Sequence, residues 1–220
     1  MAAKCTDGRA PMARLAWYFD YVSPYAYLQF AAHPGLMQRE DVELVPLVFA
    51  GLLKHWQHKG PAELPTKRPH TYRHTTWLAE KLGVPFRYPP GHPFNSLHAL
   101  RLTLAAGCTY ETVRAVNHFI WGEGRSPAEE WPALAGRLGI ADADAAAGAP
   151  AVKDALRANG ERALAAGVFG VPTFVAGGHL FWGLDATDML RDWLANPGLF
   201  DTEEMRRISA LPVAAARKDA

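Results

Sequence analysis

Ser23, Pro24, Tyr25 and Ala26 stand where an apolar run, Trp17 to Val22, meets a sequence able to form a helix. Serine followed by proline is an ordinary helix start, because the hydroxyl accepts a backbone N–H at the cap and proline fits the first helical position. Capping alone accounts for both residues. The same place offers more: free N–H groups and the positive end of the helix dipole stabilise an anion such as a thiolate. The chain brings no thiol of its own there. With serine at 23 and alanine at 26 there is no C-x-x-C pair, so dithiol exchange is excluded at this point. What remains is a hydroxyl able to donate to the sulfur of a ligand held at the helix start.

Three other stretches carry polar or backbone chemistry. Gly170-Val171-Pro172-Thr173 reads as a tight turn entering a strand, where proline is tolerated. A cis bond before Pro172 would turn the Val171 backbone towards the first helix, where it could pair with an extended peptide ligand. Trp182-Gly183-Leu184-Asp185 precedes the last helix. Asp185 with Asp188 fits a helix cap with acidic first-turn support, and that end can also hold a ligand's amino and carboxylate groups. After the second strand the loop is cationic, with Lys54, His55, Lys59, Lys67 and Arg68. A solvated surface is the default reading, although a carboxylate substrate needs such a partner. His55/His58 and His70/His74 have metal-compatible spacings without a third ligand, and no metal site is assigned. The sequence has no phosphate-binding glycine motif and no G-x-S-x-G elbow.

The elements that position these residues follow from pattern and punctuation. A first strand ends before Ser23, and the helix from Pro24 stops before His33-Pro34-Gly35, since proline disfavours helical geometry in the residue before it. Val42 to Phe49 reads as a second strand despite Pro46. From 66 to 166 the pattern is helical. Asn95-Ser96 caps a helix ending at Gly107, Ser126-Pro127-Ala128-Glu129 fits a capping box, and Gly160 interrupts the alanine-rich run 150–166. Thr173–Val175, Gly177-Gly178 and His179–Trp182 read as a hairpin, and Asp185 starts a last helix through Leu194. The expected fold class is α/β: a thioredoxin-like domain, 15–65 and 167–200, with a large all-helical insertion, 66–166, between the second and third strands. Residues 1–14 read as a loose leader and 203–220 as a terminal helix fading into a polar tail.

Bulk properties narrow the function. The 220 residues, 49% hydrophobic and 20% charged, suffice for one well-buried domain, and a net charge of +1 with dispersed Lys and Arg gives no footprint for nucleic acid or an anionic membrane. Cys5 and Cys108 cannot form a disulfide framework, no run of about 18 apolar residues is present, and the expectation is a soluble cytoplasmic protein with a small partner.

Taken together, Phe19-Asp20, Ser23-Pro24-Tyr25, Trp121-Gly122-Glu123-Gly124, Val168 to Thr173 and Trp182-Gly183 with Asp185 resemble the 2-hydroxychromene-2-carboxylate isomerase family. That family is close kin to the kappa-class glutathione transferases in the thioredoxin-like superfamily. The resemblance implies glutathione as cofactor, with Ser23 beside its sulfur, Val171 pairing with its cysteinyl backbone, Leu184 and Asp185 near its γ-glutamyl end, and Pro172, Trp182 and Gly183 also among the residues that bind it. It also implies a small aromatic carboxylate substrate near Lys54, Lys67 and Asn95, and kinship alone points to a homodimer. The reaction implied is cis-trans isomerisation between 2-hydroxychromene-2-carboxylate and trans-o-hydroxybenzylidenepyruvate by reversible thiolate addition. His58 stands where many relatives have asparagine, and Ala186 where many have arginine. The alternatives are a kappa-like transferase or peroxidase, and a non-catalytic thioredoxin-like module that binds peptides beside Pro172.

Overall fold

The computed structural model describes residues 14–215. The leader with Cys5, and the end of the tail, lie outside the described residues. Four strands form one mixed sheet in the order β2-β1-β3-β4. β1 (Leu15–Phe19) runs parallel to β2 (Val42–Pro46) and antiparallel to β3 (Thr173–Ala176), which pairs antiparallel with β4 (His179–Trp182). Parallel strands need a crossover, and α1 (Pro24–Ala32) with α2 (Pro34–Met37) supplies it. The fold is α/β with helices inserted between the second and third strands, as the sequence implies.

Alternation along β1 sends side chains to two buried faces. Leu15, Trp17 and Phe19 enter the larger core with Leu28, Phe30, Phe174 and Phe181, where the rings of Trp17 and Phe19 stack at 4.5 Å. Tyr18 faces the other way, into a smaller cluster with Val45, Leu47, Leu52, Ala163, Val168 and Val171. α3 (Phe49–His55) and α9 (Pro150–Ala165) cover that second face. Asn159 Nδ2 on α9 donates to the Pro46 carbonyl at 2.9 Å, and Arg162 on α9 donates to the Tyr18 hydroxyl at 3.2 Å and to Glu43 at 2.9 Å.

Several expected boundaries move, each for a local reason. β2 ends at Pro46, not Phe49, because Phe49 opens α3 with its N–H on the Asp20 carboxylate. The helical stretch from 66 is broken: α4 (Lys67–Leu82) stops at left-handed Gly83, and 84–96 carry no helix where Pro85, Pro89, Pro90 and Pro93 would each remove a helical donor. α5 (Leu97–Ala105) starts as expected, although Leu97 N donates to Asn95 Oδ1 and the Ser96 side chain makes no cap bond. α6 (Tyr110–Asn117) continues into one π-helical turn, His118–Gly122.

Ser126 does accept from Glu129 N, but the segment is a turn held by Glu130, whose carboxylate takes Ser126 N–H and Arg125; the helix α7 (Trp131–Arg137) starts after it. α8 (Ala143–Gly148) precedes α9, which runs straight through Gly160. Asp185 does not cap the last sheet-flanking helix, because α10 (Thr187–Ala195) begins two residues later, while Asp188 lies in its first turn. α11 (Glu203–Ser209) follows. Gly177 and Gly178 form the hairpin turn with φ of 54° and 82°, which side-chain-bearing residues rarely adopt.

Candidate functional site

Ser23 is the N-cap of α1. Its Oγ accepts from Ala26 N at 3.2 Å, and Pro24 occupies the first turn, so the local chemistry of the sequence is realised. The hydroxyl is buried and faces the Val171 carbonyl, to which it donates over a long 3.4 Å. The Val171–Pro172 bond is cis, and the Pro172 carbonyl accepts from Gly183 N at 2.8 Å. Ser23, Val171, Pro172 and Gly183, drawn from three distant segments, thus form one connected rim.

Two buried side chains that sequence reasoning did not assign hold this rim together. Gln29, fully buried on α1, accepts from Trp17 Nε1 at 2.7 Å and donates to the Gly183 carbonyl at 3.0 Å and to Thr187 Oγ1 at 2.9 Å. It ties β1 to α1 and to the turn before α10. Its only sequence signal is an amide among apolar neighbours. Asp20, 1% exposed, accepts from Val22 N and Phe49 N at 3.0 and 2.8 Å and is hydrogen-bonded by the Ser96 side chain. It therefore anchors the starts of α3 and α5 three residues before Ser23. Burial raises its carboxyl above the ordinary value near 3.8, against the opposing pull of those hydrogen bonds.

Tyr25 and His92 complete the surroundings. The Tyr25 hydroxyl is hydrogen-bonded to His74 Nδ1 on α4 at 2.9 Å, and burial with the nearby negative Asp185 raises its pKa. His92 Nε2 lies 2.8 Å from the Val22 carbonyl, which can only accept, so that nitrogen carries the proton. Burial lowers the His92 pKa and favours the neutral ring. His92 packs with Phe86, Tyr88 and Phe94 around buried Trp121, whose Nε1 donates to the Tyr21 carbonyl at 2.9 Å. The Trp121 stretch thus supports the strand end from behind.

The remaining residues named from the sequence lie further out. Trp182 is 53% exposed and packs edge-on against Phe169 at 5.1 Å. Leu184 is half-buried against the larger core, and Asp185 is exposed. Lys54 on α3, Lys67 at the first position of α4 and Asn95 before α5 are all exposed. No hydrogen bond joins any of the three to Ser23 among the described residues. Among those residues no three His, Cys, Asp or Glu side chains are grouped to hold a metal, and no helix is long and apolar enough to cross a membrane.

A serine-capped helix facing a cis-proline turn on a mixed sheet defines a thioredoxin-type domain, and the comparisons agree. The family model for the DSBA-like thioredoxin domain matches residues 14–195, and the chain belongs to that family. Within it, the chain is 29% identical over 189 residues to 2-hydroxychromene-2-carboxylate isomerase of Sphingobium xenophagum, covering 81% of this chain and 96% of that protein. It is 24% identical over 206 residues to glutathione S-transferase kappa 2 of Caenorhabditis elegans, covering 82% and 91%. The solved structure of a 2-hydroxychromene-2-carboxylate isomerase superposes with a TM-score of 0.69 at 23% identity over 83% of this chain and 95% of that one, a likeness of fold. The resemblance read from the sequence holds, and both curated relatives bear the names of enzymes.

Proposed function

We propose that the protein is a cytoplasmic, glutathione-dependent cis-trans isomerase acting on 2-hydroxychromene-2-carboxylate or a related intermediate of aromatic degradation. The observation that carries this reading is the Ser23 hydroxyl at the start of α1, facing the Val171 carbonyl over 3.4 Å with alanine in place of a second redox cysteine. The residues fit the cofactor. A hydroxyl that accepts from Ala26 N keeps its proton for donation, and a long bond to Val171 is readily exchanged for a shorter one to sulfur. When bound, glutathione supplies a thiolate able to add reversibly to a conjugated double bond and leave unconsumed.

The chain's own residues then have separate tasks. Ser23 and the α1 terminus hold negative charge at the sulfur position, lowering a thiol pKa whose free value is about 8.5. The backbone of Val171 and Pro172 lines the path of a peptide-like ligand, and Trp182, Gly183, Leu184 and Asp185 flank its γ-glutamyl end. Lys54 and Lys67 attract the substrate carboxylate, with Asn95 beside them. Gln29 fixes the distance between the Ser23 and Gly183 sides of the rim. A kappa-like transferase is the second reading, favoured by the 24% identity that extends over 91% of the kappa relative.

The test is turnover of 2-hydroxychromene-2-carboxylate with substoichiometric glutathione, following product and free thiol together. The isomerase reading expects many turnovers at constant thiol. Loss of one thiol per product would replace it with the transferase, and absence of glutathione-dependent turnover would overturn the isomerase reading.

A further inference from the structure

A groove of about 300 Å³ lies between α3, α5 and α9, and none of the residues so far assigned to glutathione lines it. Its walls are Val48, Leu52, Leu97, Leu156 and Leu164. On α9 the lining residues recur at Lys153, Leu156, Arg157, Gly160, Glu161 and Leu164, the three-to-four spacing of one helix face. The charges are unequal. Arg157 pairs with Asp154 at 3.0 Å and reaches Glu161 at 3.7 Å, leaving Arg101 and Lys153 without an ion pair among the described residues. Arg101 also has its Nε buried with no hydrogen-bond partner. Arg101 is otherwise part-buried, so its outer guanidinium nitrogens are the donors a ligand in the groove can reach.

Two glycines line the groove. Gly51 on α3 and Gly160 on α9 face it from different helices, and a Cβ built on either would meet nothing within 4 Å. Glycine inside a helix is destabilising relative to alanine, so local helix stability does not favour it at either position.

We propose that this groove binds a small apolar monocarboxylate, its hydrocarbon part against the leucines and its carboxylate on Arg101 and Lys153. A planar guanidinium matches a carboxylate in two-point geometry. The groove volume is at the lower end for small-molecule sites, which suits one or two fused rings better than a peptide. The site stands whether or not glutathione binds at Ser23.

The experiment is calorimetric titration of the full-length, glutathione-free protein with 1-naphthoate, and with 1-naphthylmethanol as the uncharged control. Wild type and Ser23→Ala are expected to bind naphthoate alike and the alcohol far more weakly. Arg101→Gln with Lys153→Gln is expected to weaken binding at least about tenfold. Gly160→Leu, and separately Gly51→Leu, fill the groove without touching a charge and should abolish binding while melting at or above the wild-type temperature. No binding of naphthoate by wild type, wild-type affinity in both folded glycine variants, or loss of binding in Ser23→Ala would overturn the proposal. Because no arm uses glutathione, failure here leaves the reading of Ser23 to its own test.

Discussion

The residues around Ser23 and those around Lys54 are held in opposite ways. Asp20, Gln29 and Thr187 are at most 2% exposed, and each makes at least two hydrogen bonds, at least one of them to a distant segment. Lys54 and Lys67 are exposed, and their side chains make no hydrogen bond or ion pair among the described residues. The first region is therefore set by the fold. In the second, solvated ammonium groups on long stems are free to reorient, and their placement contributes little to folding. A thioredoxin-type rim built this way stays fixed while the exposed cationic side can change at small cost to stability.

Breaking the rigid region should cost most. Gln29→Leu removes three hydrogen bonds and leaves Trp17 Nε1 buried without an acceptor. A loss of about 2–4 kcal/mol in urea unfolding at neutral pH is expected, at about 1–3 kcal/mol per buried group left unpaired. A loss below about 0.5 kcal/mol would mean that the network does not lock the rim.

Gly183→Ala comes next. Gly183 has φ of +93°, and an added Cβ would press on the Asp185 carboxylate, so a loss of about 1–3 kcal/mol is expected. The same variant should weaken glutathione binding more than it weakens folding.

Asp20 sharpens the comparison through pH. Burial raises its carboxyl above 3.8, so the folded chain retains a proton that the unfolded chain releases. Its contribution is complete below the unfolded value and falls as pH rises through the interval up to the raised folded value. Denaturation midpoints from pH 3 to 7 should show that decline in wild type, and the decline should be missing in Asp20→Asn, which does not titrate. Parallel profiles would remove this buried carboxyl from the account.

The smallest effect belongs to the exposed side. Lys54→Gln and Lys67→Gln should each change stability by less than about 0.5 kcal/mol while raising KM for a carboxylate substrate. A larger stability change in either would show that the cations are part of the architecture after all.

What the sequence made visible was local. Ser23-Pro24, the stop at His33-Pro34 and the Gly177-Gly178 turn each depend on neighbours a few residues away, and each stands in the structure. Gln29 was invisible because its partners lie 12, 154 and 158 positions away, where no spacing rule reaches. Gly160 misled because glycine disfavours a helix by about 1 kcal/mol, a penalty that packing of α9 against the sheet outweighs. Asp185 misled in a similar way: its spacing from Asp188 fits a cap, but the bond from Gly183 N to Pro172 pulls that turn towards the proline loop and delays the helix to Thr187. Arg101 gave no signal, since one arginine in a leucine-rich helix reads as its solvated face.

The central claim is that Ser23 activates a thiol it does not itself carry. Titrating bound glutathione by thiolate absorbance near ~240 nm across pH, in wild type and Ser23→Ala, tests it most directly. The account predicts a thiol pKa about one to two units below the free value of ~8.5 in wild type and a return towards that value in the variant, which should lose only about 1 kcal/mol of stability with its helix cap. A bound thiol that titrates alike in both proteins would contradict it and leave Ser23 as a helix cap alone.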